Sequence, residues 1–328
     1  LAGWRMDDVI TQKQILRMLA RQKELNFTPG AEHLYSNGGY TLAAEIVARV
    51  SGKSFPTFCE EAIFRPLGME RTHFHEDHRR IVRDRAYSYA PAGAGYEASP
   101  LNYANAGATS LFTTAPDLAK WLDNFREPRV GGRAAVERLQ EQAVLNDGKK
   151  IGYALGVNVG AYRGLKTVSH GGADAGYRSF VTWLPEQETG IVVLGNLSTF
   201  VPAVVANRIA EVYFGSRMGP GPKPAVSSSV MRTAREEGNG GDVAGYGGVY
   251  WSEELETQYT VRERGGKLTI DHARHGEVSM TATGRDVFRT GSWFMQTVTF
   301  LRDGEGKVKG FRASGGRIRG ISFVRRSP

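Results

Sequence analysis

The sequence predicts an α+β protein in two parts: an antiparallel sheet with flanking helices over residues 1–215, and an all-β barrel over residues 246–328. Three observations predict it. Apolar residues recur at helical spacing in several segments of the first part. Two adjacent runs there, residues 178–184 and 190–194, are joined through Pro185, Glu186, Gln187, Glu188 and Thr189 and read as a hairpin. Past a Gly/Pro/Ser-rich stretch, the pattern switches to short alternating runs separated by glycine.

Taken in order, residues 12–24 place Ile15, Leu16, Leu19 and Ala20 on one helical face. Pro29-Gly30 is a turn. Residues 40–50 form a helix with Leu42, Ile46, Val47 and Val50 as an apolar stripe and Gly52 as its stop. Residues 72–106 are polar and broken by Gly and Pro, so they read as a long irregular connection. Residues 114–125 form a helix that Thr114 caps, with Asp117 three residues on and Leu118, Trp121, Leu122 and Phe125 on one face. Strands are expected at 166–169, 178–184 and 190–194, then a helix at 202–214 with Val205, Ile209 and Val212 inward. Residues 216–245 are the linker. Beyond it, residues 258–262, 267–270, 297–302 and 307–311 alternate as strands, and Trp251, Trp293 and Phe294 are expected in the barrel core.

A net charge of +8 raises nucleic acid as a partner. Lys and Arg are interleaved with Asp and Glu, except for Arg312, Arg317, Arg319, Arg325 and Arg326, so no phosphate-tracking face is expected. A mild attraction to anionic substrates or surfaces fits better. No apolar run of about 18 residues exists, so no membrane span is expected. Cys59 is the single cysteine, which leaves no internal disulfide. It lies among Phe55, Phe58, Ala62 and Ile63 and reads as a buried small hydrophobe rather than a catalytic thiol. The chain opens at Leu1 without a methionine or signal peptide, so its natural N-terminus is expected to lie elsewhere.

Two short motifs carry candidate chemistry. In Tyr35-Ser36-Asn37 a phenol and an amide share a face if the backbone between them is extended. Asn37-Gly38 is equally a turn dipeptide opening a helix. In Ser169-His170-Gly171-Gly172-Ala173 a histidine ends a strand, and two glycines let the backbone approach a ligand, where an N–H can stabilise an oxyanion. A satisfied histidine beside a loop is the plainer alternative.

Together, and in this order, the motifs resemble two of the three boxes of penicillin-recognising serine hydrolases, the group of serine β-lactamases, D-peptidases and esterases. Tyr35-Ser36-Asn37 matches the Tyr-x-Asn box, and His170-Gly171-Gly172 the His-x-Gly form of the third. The surrounding text is similar too: Phe27-Thr28-Pro29-Gly30, Arg65-Pro66-Leu67-Gly68-Met69, Gly107 to Thr114 leading into Asp117-Leu118, and Val192-Val193-Leu194-Gly195-Asn196. The likeness covers residues 8–215 and implies a β-lactamase/transpeptidase-like domain. Residues 246–328 resemble the lipocalin-like barrel of some D-aminopeptidases. The Ser-x-x-Lys box is absent: no serine has lysine at the third position after it. The nucleophile and its lysine are therefore expected on a segment upstream of residue 1, with a proteolytic product or one half of a nicked protein among the explanations. The resemblance implies an acyl-enzyme mechanism on small esters, amides or D-amino-acid peptides, without metal or cofactor. Tyr35 shares the proton work with the absent lysine. Asn37 binds the substrate amide. His170 supports that network or binds an anionic substrate end. Gly171, Gly172 and Ala173 line the substrate, and the Ala173 N–H helps form the oxyanion hole. A periplasmic or secreted location is implied as well, and the chain alone is expected to be inactive and to expose sheet edges.

Two other readings stand beside this one. A chain without its nucleophile can be a non-catalytic binding protein. His73-x-His75-x-Asp77-His78 also resembles the zinc signature of metallo-β-lactamase-like hydrolases, since imidazoles at this spacing plus a carboxylate suit a zinc pair. Arg79-Arg80 beside it and the lack of recognisable further ligands favour a solvated polar loop. Asp271, His272 and His275 read as an exposed turn rather than a metal site.

Overall fold

The structure, a computed structural model, describes residues 1–5, 7–102, 104–220, 243 and 245–326. Two compact units are present. Residues 7–15 and 29–220 form one; residues 1–5, 16–28 and the C-terminal strands form the other. The linker expected at 216–245 falls mostly on residues 221–242 and 244, outside the described residues.

The helices and strands before the linker run α1 (Gln12–Ala20), α2 (Asn37–Ser51), α3 (Phe55–Cys59), β1 (His73–Phe74), β2 (Tyr89–Ala92), β3 (Gly95–Ala98), β4 (Leu111–Phe112), α4 (Ala115–Arg126), α5 (Gly132–Leu139), β5 (Asn158–Tyr162), β6 (Leu165–Asp174), β7 (Tyr177–Leu184), β8 (Thr189–Gly195) and α6 (Pro202–Phe214). Residues 72–106 are thus less irregular than their composition implies. β2 and β3 pair as a hairpin, and β1 pairs with β4. The central sheet is antiparallel in the order β5-β6-β7-β8.

Side-chain alternation sorts the sheet into two faces. Leu184, Ile191 and Val193 meet Ala206 and Ala210 of α6. Trp183 and Val192, one residue out of step, meet Leu122 and Phe125 of α4. Thr114 caps α4 as expected, its Oγ1 accepting from the Asp117 N–H at 3.3 Å. Gly190 makes room for this packing, since a Cβ there would lie 2.7 Å from Leu122 Cδ1.

Two helices turn unexpected faces inward. α2 buries Thr41 and Ala44, while Leu42, Ile46 and Val50 of the apolar stripe are 45%, 60% and 84% exposed. α6 buries Pro202, Ala206 and Ala210 and leaves Val205 and Val212 exposed, contrary to expectation. Close approach explains both: small residues admit the neighbouring backbone. At α2 that neighbour is Gly107, where a Cβ would stand 2.6 Å from both Ala44 Cβ and the Tyr40 carbonyl.

The second unit is a closed antiparallel barrel of eight strands, β9 (Gly248–Ser252), β10 (Thr257–Arg264), β11 (Lys267–His272), β12 (Gly276–Gly284), β13 (Val287–Ser292), β14 (Met295–Arg302), β15 (Val308–Gly315) and β16 (Ile318–Arg326). Each pairs with the next, and β16 returns to β9, giving the lipocalin-like form. Tyr250, Tyr259, Phe300, Phe311 and Phe323 fill its interior with packed rings. Trp293 is not among them; it is 82% exposed between β13 and β14. His272 is buried rather than on an exposed turn, with Thr257 Oγ1 2.8 Å from Nε2 and the Arg274 N–H donating to Nδ1.

Two predictions follow from packing. Gly107→Ala forces a side chain against α2 at a φ of +93° and is expected to cost about 1–3 kcal/mol. Urea unfolding checks this, and an unchanged midpoint would show that α2 is not held there. Burial, with His275 and Arg274 adding to it, lowers the His272 pKa below its ordinary value. The unfolded chain then binds the proton that the folded barrel refuses, so barrel stability is complete above about pH 6.5 and declines as pH falls. Denaturation at pH 7 and pH 5 tests the sign, and His272→Gln is expected to flatten the difference.

Candidate active site

Tyr35 enters the site on a tethered segment outside the sheets. Gly30 turns at φ +81°, and its carbonyl accepts from the Asn146 N–H at 2.9 Å. The Asn146 side-chain amide donates to the Pro29 carbonyl, also at 2.9 Å. Ser36 is extended (φ −134°, ψ 110°), the conformation that puts Tyr35 and Asn37 on one side. Its Oγ accepts from the Gly39 N–H at 3.1 Å and caps α2. Asn37-Gly38 is the start of α2 rather than a turn before it, because the Ser36 cap begins the helix at Asn37. Thr41 anchors this end, donating to the Asn37 carbonyl at 2.9 Å while its hydroxyl also meets the buried Asn105 side chain.

The histidine box lies inside a strand, not at its end. β6 continues through Gly171, Gly172 and Ala173 to Asp174, paired throughout with β7. β5 covers only Leu165 to Ser169, so His170 to Asp174 lie past its pairing on that side. The two-residue Ala175-Gly176 turn makes Asp174 and Tyr177 the closing pair. By ladder alternation, Gly171 and Ala173 then direct their N–H and C=O groups away from β7, toward that edge. His170 shares the α4-side face with Val168. A Cβ on Gly172 would stand 2.3 Å from Ser179 Oγ, so the glycine admits its cross-strand neighbour.

The fold brings the two motifs together and adds residues the motifs do not contain. The Tyr35 and His170 ring centroids are 6.0 Å apart. Tyr153 completes a triangle, 6.0 Å from Tyr35 and 6.3 Å from His170, with its hydroxyl 3.3 Å from His170 Nε2. His33 packs on Tyr153 at 5.1 Å. Burial, then the Tyr35 and Tyr40 phenols, pushes the Tyr153 pKa up to about 12. Burial and Tyr35 raise that of Tyr40. Burial lowers the pKa of His170, with a hydrogen bond to the Gly171 backbone opposing it. Near neutral pH the site thus presents hydroxyl donors and an uncharged imidazole. Alternation along 33–37 places His33 with Tyr35 and Asn37. Nothing local signals Tyr153, which belongs to a tight turn at residues 153–158.

The other candidates do not assemble a site. His73 opens β1 and His75 directly follows it, with His73 Nε2 and His75 Nδ1 3.3 Å apart, and burial lowers both pKa values, that of His73 to about 4. The Asp77 carboxylate instead accepts from the Arg79 backbone and guanidinium. Among the described residues, no three His, Cys, Asp or Glu side chains converge as a metal group would need. Cys59 is buried with Phe64, Leu67 and Met69, and burial pushes its thiol up to about 11. No described helix is long and apolar enough to cross a membrane.

Known proteins resemble this chain in sequence and in fold. The chain is similar to the D-aminopeptidase of Gluconobacter oxydans (strain 621H), 24% identical over 196 residues that make up 60% of this chain and 37% of the relative. It therefore spans well under half of that relative's length. The octameric penicillin-binding protein homologue from Pyrococcus abyssi superposes with a TM-score of 0.58 at 20% identity, over 98% of this chain and 71% of that one. The D-amino acid amidase from Ochrobactrum anthropi SV3 gives 0.55 at 20% identity, over 66% and 67%. The family model described as Beta-lactamase matches residues 1–213, which takes in both boxes and the sheet that joins them. The chain belongs to the β-lactamase family of penicillin-recognising serine hydrolases.

Proposed function

We propose that this chain supplies the acid–base and substrate-binding side of a serine hydrolase acting on small esters, amides or D-amino-acid peptides. The observation that carries the reading is the convergence of Tyr35, Tyr153 and His170 beside the strand edge of Gly171 and Ala173. The names of the D-aminopeptidase and D-amino acid amidase relatives support amides and peptides as substrates. The nucleophilic serine and its lysine come from a segment outside these 328 residues, either of a longer chain or of a separate polypeptide.

In this reading the serine adds to the substrate carbonyl, and its proton passes to the Tyr35–lysine pair. The oxyanion gathers donors from the Ala173 N–H and the serine's own N–H. The tetrahedral intermediate collapses as the leaving amine or alcohol takes the proton, and water then hydrolyses the acyl-enzyme by the same route in reverse. Asn37 holds the substrate amide. His170 and Tyr153 surround Tyr35 with uncharged partners. A periplasmic or secreted setting belongs to the same proposal.

A second reading has one observation behind it: no Ser-x-x-Lys exists in the sequence. A chain that works without that segment binds acyl ligands or partners but does not turn them over.

Intact-mass spectrometry before and after fluorophosphonate treatment separates the two. A serine-bearing polypeptide that gains the label supports the hydrolase; no labelled species in the native preparation leaves the binding protein. In a preparation shown to take the label, the unlabelled Tyr35→Phe enzyme is expected to turn over about 10²–10⁴-fold more slowly than unlabelled wild type, the usual contribution of a positioned acid–base group. Kinetics near wild type would remove Tyr35 from the proton path.

A further inference from the structure

Tyr153 lies outside both motifs, yet it touches the central groups of the site. Its hydroxyl stands 3.3 Å from His170 Nε2, and its ring meets Tyr35 edge-on at 83°. The backbone holds it there. Its carbonyl accepts from the Ala143 N–H at 3.0 Å, and the Ala154 N–H closes the following turn onto Val157 at 2.8 Å. Gly156 completes that turn at φ +86°, and a Cβ on it would reach 3.0 Å from the Tyr40 hydroxyl. The phenol is therefore placed by a local turn and not by substrate.

We infer that Tyr153 is a positioning residue: its hydroxyl donates to Nε2 of His170 and fixes that imidazole in the tautomer that carries its proton on Nδ1. The inference rests on the reading above that Tyr35 and His170 form the site. The direction of the bond follows from what each group has available. His170 Nε2 is the hydrogen-bond partner of the Tyr153 hydroxyl among the described residues. If the imidazole donated instead, the phenol proton would have no acceptor among the described residues. The same imidazole bonds the Gly171 backbone, and that bond acts to raise the pKa of the ring, as a carbonyl accepting a ring proton does. A proton on Nδ1 leaves Nε2 free to accept from Tyr153, whereas a proton on Nε2 leaves the phenol proton without an acceptor among the described residues.

This assignment divides the work within the site. An imidazole whose Nε2 accepts from one neighbour and whose Nδ1 donates to another is neither a proton carrier nor an anion clamp. It is a fixed acceptor that orients Tyr153, and the two rings together fix the orientation of Tyr35. Of the two roles that the family resemblance leaves open for His170, support of the proton network is the one this geometry selects.

The test is spectroscopic and uses the full chain, ¹⁵N-labelled, near neutral pH. Long-range ¹H–¹⁵N correlation separates a protonated, pyrrole-like ring nitrogen from an unprotonated, pyridine-like one, with His170→Gln assigning the ring. The expected wild-type spectrum has a pyrrole-like Nδ1 and a pyridine-like Nε2 for His170. In Tyr153→Phe the single tautomer is expected to give way to a mixture, with backbone amide dispersion retained. A protonated Nε2 in the wild type overturns the inference, and does so even if the variant fails to fold. An unchanged single tautomer in a folded Tyr153→Phe protein overturns it as well. No turnover is read, so failure of fluorophosphonate labelling sinks the hydrolase proposal without touching this result.

Discussion

The pairing of β6 with β7, closed by the two-residue Ala175-Gly176 turn, is the constraint on which the site depends. Gly176 has no space for a side chain: a Cβ would stand 2.5 Å from the Tyr89 carbonyl and 2.9 Å from Ser88 Cβ. Its N–H donates to Ser88 Oγ at 3.2 Å, and the Tyr89 backbone bonds Asn196 and Ser198 beyond β8. The turn is thus clamped from two directions. Because side chains alternate, a slip of one residue would move His170 to the α6 face and bury the edge amide of Ala173. Tight backbone packing sets the register here.

Around that strand the electrostatics come from burial rather than from ion pairs. Desolvation is the largest influence on Tyr153, Tyr40 and His170, and in each case it favours the uncharged form. Neighbouring phenols add to this: Tyr35 raises Tyr40, and Tyr35 and Tyr40 raise Tyr153. Such a cluster stores donors and acceptors without fixed charge.

Small residues govern the packing of the helices. Thr41, Ala44, Ala206 and Ala210 allow close approach, so the larger Leu42, Ile46, Val50 and Val212 stay at the surface. The barrel follows the opposite rule and fills its interior with rings, among them Phe311 stacked on Phe323 at 4.6 Å. Periodicity located each of these elements. It did not identify the buried faces of α2 and α6, because an apolar stripe says which side is hydrophobic and not which side has a neighbour close enough to exclude water. Trp293 shows the same limit in the barrel: alternation and aromaticity predicted core, and its position between β13 and β14 left it in solvent.

By itself the sequence determined the α+β class, the hairpin of β7 and β8, the Thr114 cap of α4, the β-barrel and the two family boxes. These are local patterns: repeat period, turn chemistry and short motifs are written in neighbouring residues. The extent of β6 was not legible, since Gly171-Gly172 reads as a strand end and only pairing with β7 keeps it extended. Convergence of the metal-like string His73 to His78 was not legible either; it failed because Asp77 had a nearer partner in Arg79. Tyr153 was beyond the reach of the sequence altogether. It meets Tyr35 across more than a hundred residues, and contacts of that separation are made by the sheet, the Asn146 tether and the turn at Gly156 acting together. Which residues could do the chemistry was decided by local identity; which of them meet was decided by tertiary packing, because only packing sets distances between segments remote in the chain.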